Sequence, residues 1–482
     1  MIESFVFIPG RFLVAKRLFS VLVCLLLLLS TARAQTAFKD QTKAVGLALG
    51  GPACWADFNN DGWVDICSGG VWINDKGKSF KKIDGTGSAI AADFDNDGFI
   101  DLFSYSSLQV LRNIDGKSFK PIKMPKLPKC QSRGACWGDF NGDGFVDLFI
   151  GGYEVWSTQT TFPFLVLLNE KGKSFKLVRE ESLFRARGVT ACDFDRDGDL
   201  DVYVSNYRLQ PNLLWVNDGK GNFKELAGKH NAVATSAGFG GGHSIGAAWG
   251  DFNNVGLIDL FAGNFAHVDG RGNQPKSRFL KNLGKKKGYT FQDMGPCGVH
   301  YQESYASPSV GDFDNDGNLD LFFTTVYGTA SFGRPNQSVL FRNDGKFKVT
   351  NVTSQVKIPR LPPTYQSAWA DYDNDGDLDF ASAGRLFQNQ GNKNSWLRVR
   401  LHGDGKSINR AAIGAQVRVF AAAKIHTRQV EAGTGEGNQN DLTLHVGLGA
   451  HSGDVKVEIF WPNKKTKTIS GVKTRKLLVI KY

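Results

Sequence analysis

The sequence predicts an all-β protein: a seven-bladed β-propeller followed by a small β-sandwich-like domain. Three observations predict it. A nine-residue acidic phrase recurs seven times, and each copy sits at the same place within a longer four-strand pattern. The start of the chain also supplies the one strand that the last copy lacks.

The copies run from Asp57 to Asp65, Asp93 to Asp101, Asp139 to Asp147, Asp193 to Asp201, Asp251 to Asp259, Asp312 to Asp320 and Asp371 to Asp379. Their first aspartates are spaced by 36, 46, 54, 58, 61 and 59 residues. A short apolar stretch precedes each copy, often ending in Trp-Ala-Asp or Trp-Gly-Asp (Trp55, Trp137, Trp249, Trp369), and an apolar strand follows. Next come an L-x-x-N phrase, a Gly/Lys hairpin and a Phe, as in Leu111 to Phe119, Leu167 to Phe175 and Leu340 to Phe347. That makes four short strands separated by turn residues, with no helical period between them. The last copy stops at Asn389, before a fourth strand, whereas Phe38 to Thr42 carries the missing phrase. Thr36 to Thr42 is therefore expected to pair with the last blade and latch the ring, removing two free sheet edges. The domains read as 1–34 export signal, 35–395 propeller and 396–482 β-domain.

Within each phrase, oxygen side chains at positions 1, 3, 5 and 9 and a backbone carbonyl at position 7 can wrap a hard cation, with Gly at position 6 making the sharp turn. The expected calcium ligands are Asp57, Asn59, Asp61, Trp63 and Asp65; Asp93, Asp95, Asp97, Phe99 and Asp101; Asp139, Asn141, Asp143, Phe145 and Asp147; and Asp193, Asp195, Asp197, Asp199 and Asp201. The sixth and seventh copies add Asp312, Asp314, Asp316, Asn318 and Asp320, then Asp371, Asp373, Asp375, Asp377 and Asp379. The fifth has Val255 at position 5, so the expectation is six good Ca2+ sites and a weak or empty one at Asp251–Asp259. An EF-hand is excluded by the missing Glu at position 12 and the missing flanking helices. Turns that merely cap hairpins would leave clustered carboxylates repelling one another.

Lys16 and Arg17, the apolar run Leu18 to Leu29 and Ala32-Arg33-Ala34 read as a cleaved export signal, placing the rest outside the cytoplasm, secreted or periplasmic. The apolar run is short for a membrane span. Residues 396–482 hold 15 Lys/Arg against 6 acids, while 35–395 is near neutral with 39 against 40. The basic part implies solubility or contact with acidic glycans or an anionic surface; Arg410, Arg418 and Arg428 are candidates for an anion site or a solvated face. No nucleic-acid motif is present. Cys54, Cys67, Cys136 and Cys192 align with small or aromatic residues of other copies, and so read first as buried packing thiols.

The repeats resemble the FG-GAP/VCBS class of integrin alpha-chain propellers over about residues 38–391. Asn409 to Val419, Val430-Glu-Ala-Gly433, Leu444 to Gly449 and Val457 to Pro462 look like an ASPIC/UnbV domain. The combination resembles secreted relatives of the cartilage acidic protein family and their bacterial counterparts, which implies the propeller fold and export. This chain differs in being basic.

In such a propeller, the acidic loops and lysine hairpins lie on one face. The long inserts, 224–247, 262–278, 292–308 and 325–337, lie on the other, where function is expected. His243, His267 and His300 fall in those inserts, with His230, and mark the candidate ligand face. The expected function is a calcium-binding adhesion module for a carbohydrate or an extracellular protein. The alternative is a calcium-dependent polysaccharide lyase acting on acidic glycans, with a His and nearby Tyr301 or Tyr305 as base and acid.

Overall fold

Each of the first six acidic copies folds with its flanking apolar runs into a four-stranded antiparallel sheet, in chain order, and the seventh supplies three strands of another. The first sheet is Cys54–Ala56, Asp65–Cys67, Val71–Asp75 and Ser79–Asp84; the fourth is Ala186–Cys192, Asp201–Asn206, Leu213–Asn217 and Phe223–Glu225. This computed structural model describes residues 36–182, 184–267, 274–329 and 333–482; the expected export signal lies outside the described residues. Second strands such as Asp147–Gly152 are buried throughout, which is why they read as unbroken apolar runs. Fourth strands such as Phe175–Glu181 alternate buried and exposed positions, as an outer strand must.

Seven such sheets occur among the described residues, and the inner strand of each packs on the inner strand of the next, the seventh returning to the first. The seventh is completed by Phe38–Asp40, which pairs antiparallel with Arg385–Asn389, Phe38 opposite Asn389. Trp55, Trp137, Trp249 and Trp369, at the ends of inner strands, are fully buried between sheets.

An asparagine in the third strand of each sheet joins neighbouring sheets. Its backbone N–H donates to Oδ1 of the position-9 aspartate of its own acidic loop, at 2.7–2.9 Å in all seven copies. Its side-chain Nδ2 crosses to the position-2 carbonyl of the preceding sheet: Asn74 to Tyr372, Asn113 to Phe58, Asn169 to Phe94, Asn217 to Phe140, Asn282 to Phe194, Asn343 to Phe252 and Asn389 to Phe313. The seven bonds form a closed cycle, since Asn74 of the first sheet reaches the seventh.

Residues from Ser395 onward form two packed sheets. Ser395–His402 lies between Leu444–Gly449 and Leu477–Lys481; the other sheet runs Lys424–Gln429, Gln416–Ala421, Val455–Phe460 and Thr466–Val472. This unit sits on the acidic-loop face, and its 430–441 segment enters the axis of the ring. Inner-strand edges facing the axis carry unpaired backbone groups, and the segment satisfies several of them. Trp137 N donates to Ala432 O at 2.8 Å, Val189 N to Gly435 O at 3.3 Å and Gln439 N to Ala53 O at 2.9 Å, while Asp441 N reaches Trp369 O at 3.0 Å. The passage is narrow: Gly433 has φ +113, and a Cβ there would lie 2.4 Å from Ala135 O. At the tip, Glu436 pairs with Arg187 at 2.7 Å; both are buried, and Tyr153, Tyr207 and Tyr365 ring the guanidinium at 5.0–5.3 Å.

Glu436→Gln leaves Arg187 as an uncompensated buried charge, so we expect a loss of about 3 kcal/mol of unfolding free energy. Denaturant unfolding followed by tryptophan fluorescence checks this; an unchanged midpoint would show that the plug tip contributes nothing to stability.

Candidate metal centres and the opposite face

The sharp turn of each acidic loop is held by its own first aspartate. Oδ1 accepts the N–H of position 5 and Oδ2 that of position 6, in all seven loops, at 2.9–3.1 Å. Position 4 takes the left-handed conformation, φ +55 to +59 at Asn60, Asn96, Arg196, Asn254, Asn315 and Asn374, which asparagine tolerates. Four of these asparagines then donate to the Gly carbonyl of the next loop: Asn60 to Gly98, Asn96 to Gly144, Asn315 to Gly376 and Asn374 to Gly62.

The result is tight carboxylate clusters. Asp93, Asp95 and Asp101; Asp193, Asp195 and Asp197; Asp312, Asp314 and Asp316; and Asp371, Asp373 and Asp379 each bring ligand oxygens within 4.8 Å of one another. Burial, reinforced by neighbouring carboxylates, pushes Asp193 up to about 8 and Asp93, Asp139 and Asp371 to about 7. Asp201 Oδ2 is buried and accepts no hydrogen bond. Hard, all-oxygen, mutually repelling donors fit a hard cation. The Asp193 and Asp312 clusters add position 5, whereas those of Asp93 and Asp371 add position 9. Loops one and three, with Asn59 and Asn141, bring fewer carboxylates. At position 7, the Asp199 side chain meets Lys464 at 3.3 Å and Asp377 accepts from Asn315 at 2.7 Å. Both side chains are thus engaged outside their own loop, which leaves position 7 its backbone carbonyl.

The fifth loop is served differently. Arg418 donates to Gly256 O, Thr427 N donates to Asp251 Oδ2 at 3.3 Å, and buried Arg428 draws Asp251 and Asp312 electrostatically. Arg398 pairs with Asp371 at 2.8 Å, and Gly447 N donates to Asp312 Oδ2 at 3.0 Å. The three arginines expected to form an anion site or a solvated face are therefore divided. Arg428 is buried, donating to His445 O and Thr427 O, while Arg410 bonds Asn96 Oδ1 through its backbone. Part of the basic surface meets the chain's own acidic loops.

On the opposite face the histidines separate. His243, expected within the long insert 224–247, is the first residue of the inner strand His243–Gly250 and is buried, because Gly241 and Gly242 press against Gln210 and Asn264. Its ring meets those of Tyr207 at 4.9 Å and His267 at 5.2 Å. His267 is half-buried and its Nδ1 is 2.7 Å from Glu303 Oε1. His300 stands apart, packed on Phe341 and lining a cavity with Tyr301, Lys276 and Tyr305; burial lowers its pKa. His230, expected on this face, is instead on the acidic-loop side: it bonds Tyr289 O beside the fifth sheet's lysine hairpin, and its ring is 5.2 Å from that of Phe194 in the fourth acidic loop. Missed at the sequence level were the seven asparagine staples, whose signal was an Asn three residues after an apolar one in every copy (Leu in three, Val in three, Phe in one), and Trp156 and Tyr327, which are 53% and 57% exposed on this face.

The FG-GAP-like repeat family matches residues 93–150, 193–262 and 312–382, and the ASPIC and UnbV family matches 405–482. The chain carries FG-GAP-like repeats and an ASPIC/UnbV domain. It is 26% identical over 310 residues to cartilage acidic protein 1 of Mus musculus, covering 61% of this chain and 45% of that protein, with the same identity to the Homo sapiens protein. The FG-GAP-repeat chain thus spans about half the length of the curated relatives it matches. Among solved structures it is similar to an Agrocybe aegerita lectin that recognises non-reducing terminal N-acetylglucosamine, at 17% identity and TM-score 0.42, covering 66% of this chain and 84% of the lectin. It is also similar to the extracellular domain of the putative hybrid two-component system BT4673 of B. thetaiotaomicron, at 7% identity and TM-score 0.43, covering 93% and 60%. The ASPIC/UnbV domain is thus the unit that caps the FG-GAP-like acidic loops.

Without metal, folded Asp93, Asp139, Asp193 and Asp371 hold protons that the unfolded chain releases near pH ~3.9. Their raised values make this stabilisation complete below that pH, and it is lost as pH rises through about 7 to 8. The melting temperature of calcium-stripped protein should therefore fall between pH 5 and 8. A rise over that range would contradict the protonation assigned to these clusters.

Proposed function

We propose that the protein is a secreted or periplasmic calcium-binding propeller of seven blades, which acts as a binding module for a carbohydrate or an extracellular protein. The observation that carries the reading is the division of the two faces. The ASPIC/UnbV domain covers the acidic loops and fills the axis, so the insert-bearing face is the one left to meet a ligand. There Trp156 and Tyr327 stand exposed, and exposed aromatic rings supply flat apolar area at low conformational cost. Calcium neutralises the carboxylate clusters of six loops and thereby stiffens the ring. In the fifth loop the arginines of the cap supply that charge. No helix among the described residues is long and apolar enough to cross a membrane.

Calcium removal should lower the melting temperature by several degrees, and Asp195→Ala should reduce the bound calcium from six ions to five, counted by elemental analysis of dialysed protein. An unchanged count would remove the fourth loop from the set.

The His267–Glu303 contact favours a second reading, a lyase, because a carboxylate that orients a half-exposed imidazole prepares it as a base. Incubation with a panel of neutral and acidic polysaccharides, scoring co-sedimentation and ultraviolet absorbance of unsaturated ends, separates the two. Retention without absorbance growth, with His267→Ala changing affinity by about threefold at most, is the expected result. Absorbance growth that His267→Ala abolishes would replace the binding module with the lyase.

A further inference from the structure

Trp156 sits at the tip of a short hairpin, Glu154–Val155 paired with Thr160–Thr161, built onto the third sheet between its second and third strands. The turn Trp156–Thr158 holds the indole out from the surface. One side is backed by the Arg208 guanidinium, 3.5 Å from the ring centroid, and the residue remains 53% exposed. Arg208 Nε donates to Glu154 Oε1, and Arg185 Nε donates to Oε2 of the same carboxylate at 2.6 Å. Glu154 is buried, whereas the two arginine side chains are 30% and 22% exposed.

Two guanidiniums on one carboxylate leave a positive charge in excess. Toward the axis the pattern repeats, with Arg133 and Arg187 both facing Glu436 at 4.0 and 2.7 Å. Four arginines thus stand against two acids in one sector of the rim.

The backbone that presents Arg208 is strained. Arg208 and Leu209 take φ +56 and +59 in succession, a turn that favours Asn-Gly, and neither residue is suited to it. Leu209 N donates to Gly242 O at 2.8 Å, and Arg185 N donates to Gln210 Oε1 at 2.7 Å, which fix the turn from both sides. A strained turn, a guanidinium in excess and an exposed indole converge on one point, the pattern expected of a binding position.

We infer that Trp156, Arg208 and Arg185 form a subsite for a uronic-acid unit of an acidic glycan. The apolar face of the pyranose stacks on the indole, and its carboxylate pairs with the outward N–H groups of Arg208 and Arg185, whose Nε atoms Glu154 already fixes. Glu154 thus preorganises the two forks at the cost of only one of their charges. A neutral sugar would leave the excess charge unanswered, and an acidic peptide would leave the indole without a flat partner. The inference rests on the binding reading above and names the ligand class of its open face.

The test is calorimetric titration of the calcium-loaded full chain with a glucuronate-bearing hyaluronan hexasaccharide and with its methyl-esterified form, which is uncharged at the carboxyl. Hyaluronan oligomers stand in for the class because they do not gel with calcium. Esterification, Trp156→Ala and Arg208→Gln should each weaken binding by about tenfold or more. The Trp156→Ala variant should retain its melting temperature, which separates lost binding from lost folding. Equal binding of acid and ester would overturn the ligand class. Undiminished binding by Trp156→Ala would overturn the location while leaving a glycan-binding module intact. Failure of the hexasaccharide to bind, while other glycans of the panel are retained, would overturn the inference alone; failure of the whole panel would overturn the carbohydrate reading with it.

Discussion

The asparagine that closes each third strand couples two tasks that would otherwise compete. Its backbone N–H fixes the position-9 aspartate of its own acidic loop, and its amide reaches the loop of the preceding sheet, so the geometry of a candidate metal centre and the spacing between sheets are set by one residue. All seven asparagines are buried, where an unmade amide hydrogen bond costs about 1–3 kcal/mol. The ring cannot spread at one seam without disturbing an acidic loop.

The basic C-terminal domain extends the same economy of charge. Its arginines and backbone amides point into the acidic loops of sheets five, six and seven, and buried Arg428 faces Asp251 of the fifth and Asp312 of the sixth. Part of a net charge that reads in the sequence as attraction to an external polyanion is thus used within the chain, at Arg398 on Asp371 and Lys464 on Asp199. Lysines such as Lys456, Lys467 and Lys476 remain exposed on the domain's outer surface. The insert face adds its own aromatic residues and a small local excess of arginine.

The sequence carried the repeat, the strand count and the acidic loops because period-two patterning and Asp-Gly turns are local signals. It did not carry two strands of the C-terminal domain. Lys424–Gln429 and Thr466–Val472 lack apolar alternation: the first faces acidic loops, so its buried side chains are His426, Thr427, Arg428 and Gln429, and the second is a mostly exposed edge. Polarity there reflects what the strand touches, which no local window contains. His243 was misplaced for a related reason. Its glycine-rich neighbours look flexible, yet they are small because backbone and side chains crowd against them. Trp156 was invisible as a surface residue, since a tryptophan in a β-rich chain ordinarily signals core.

The pairing of Phe38–Asp40 with Arg385–Asn389 has a temporal consequence. The earliest-made strand of the ring has its partner near the ring's far end, so the ring stays open, with two raw sheet edges, until that partner has been made. Loop-closure entropy grows only slowly with length, so the late join is thermodynamically modest although it spans most of the chain. The segment that fills the axis, 430–441, is made later still. Assembly therefore has a built-in order in which the circle is joined by its oldest strand and then stoppered by one of its newest loops.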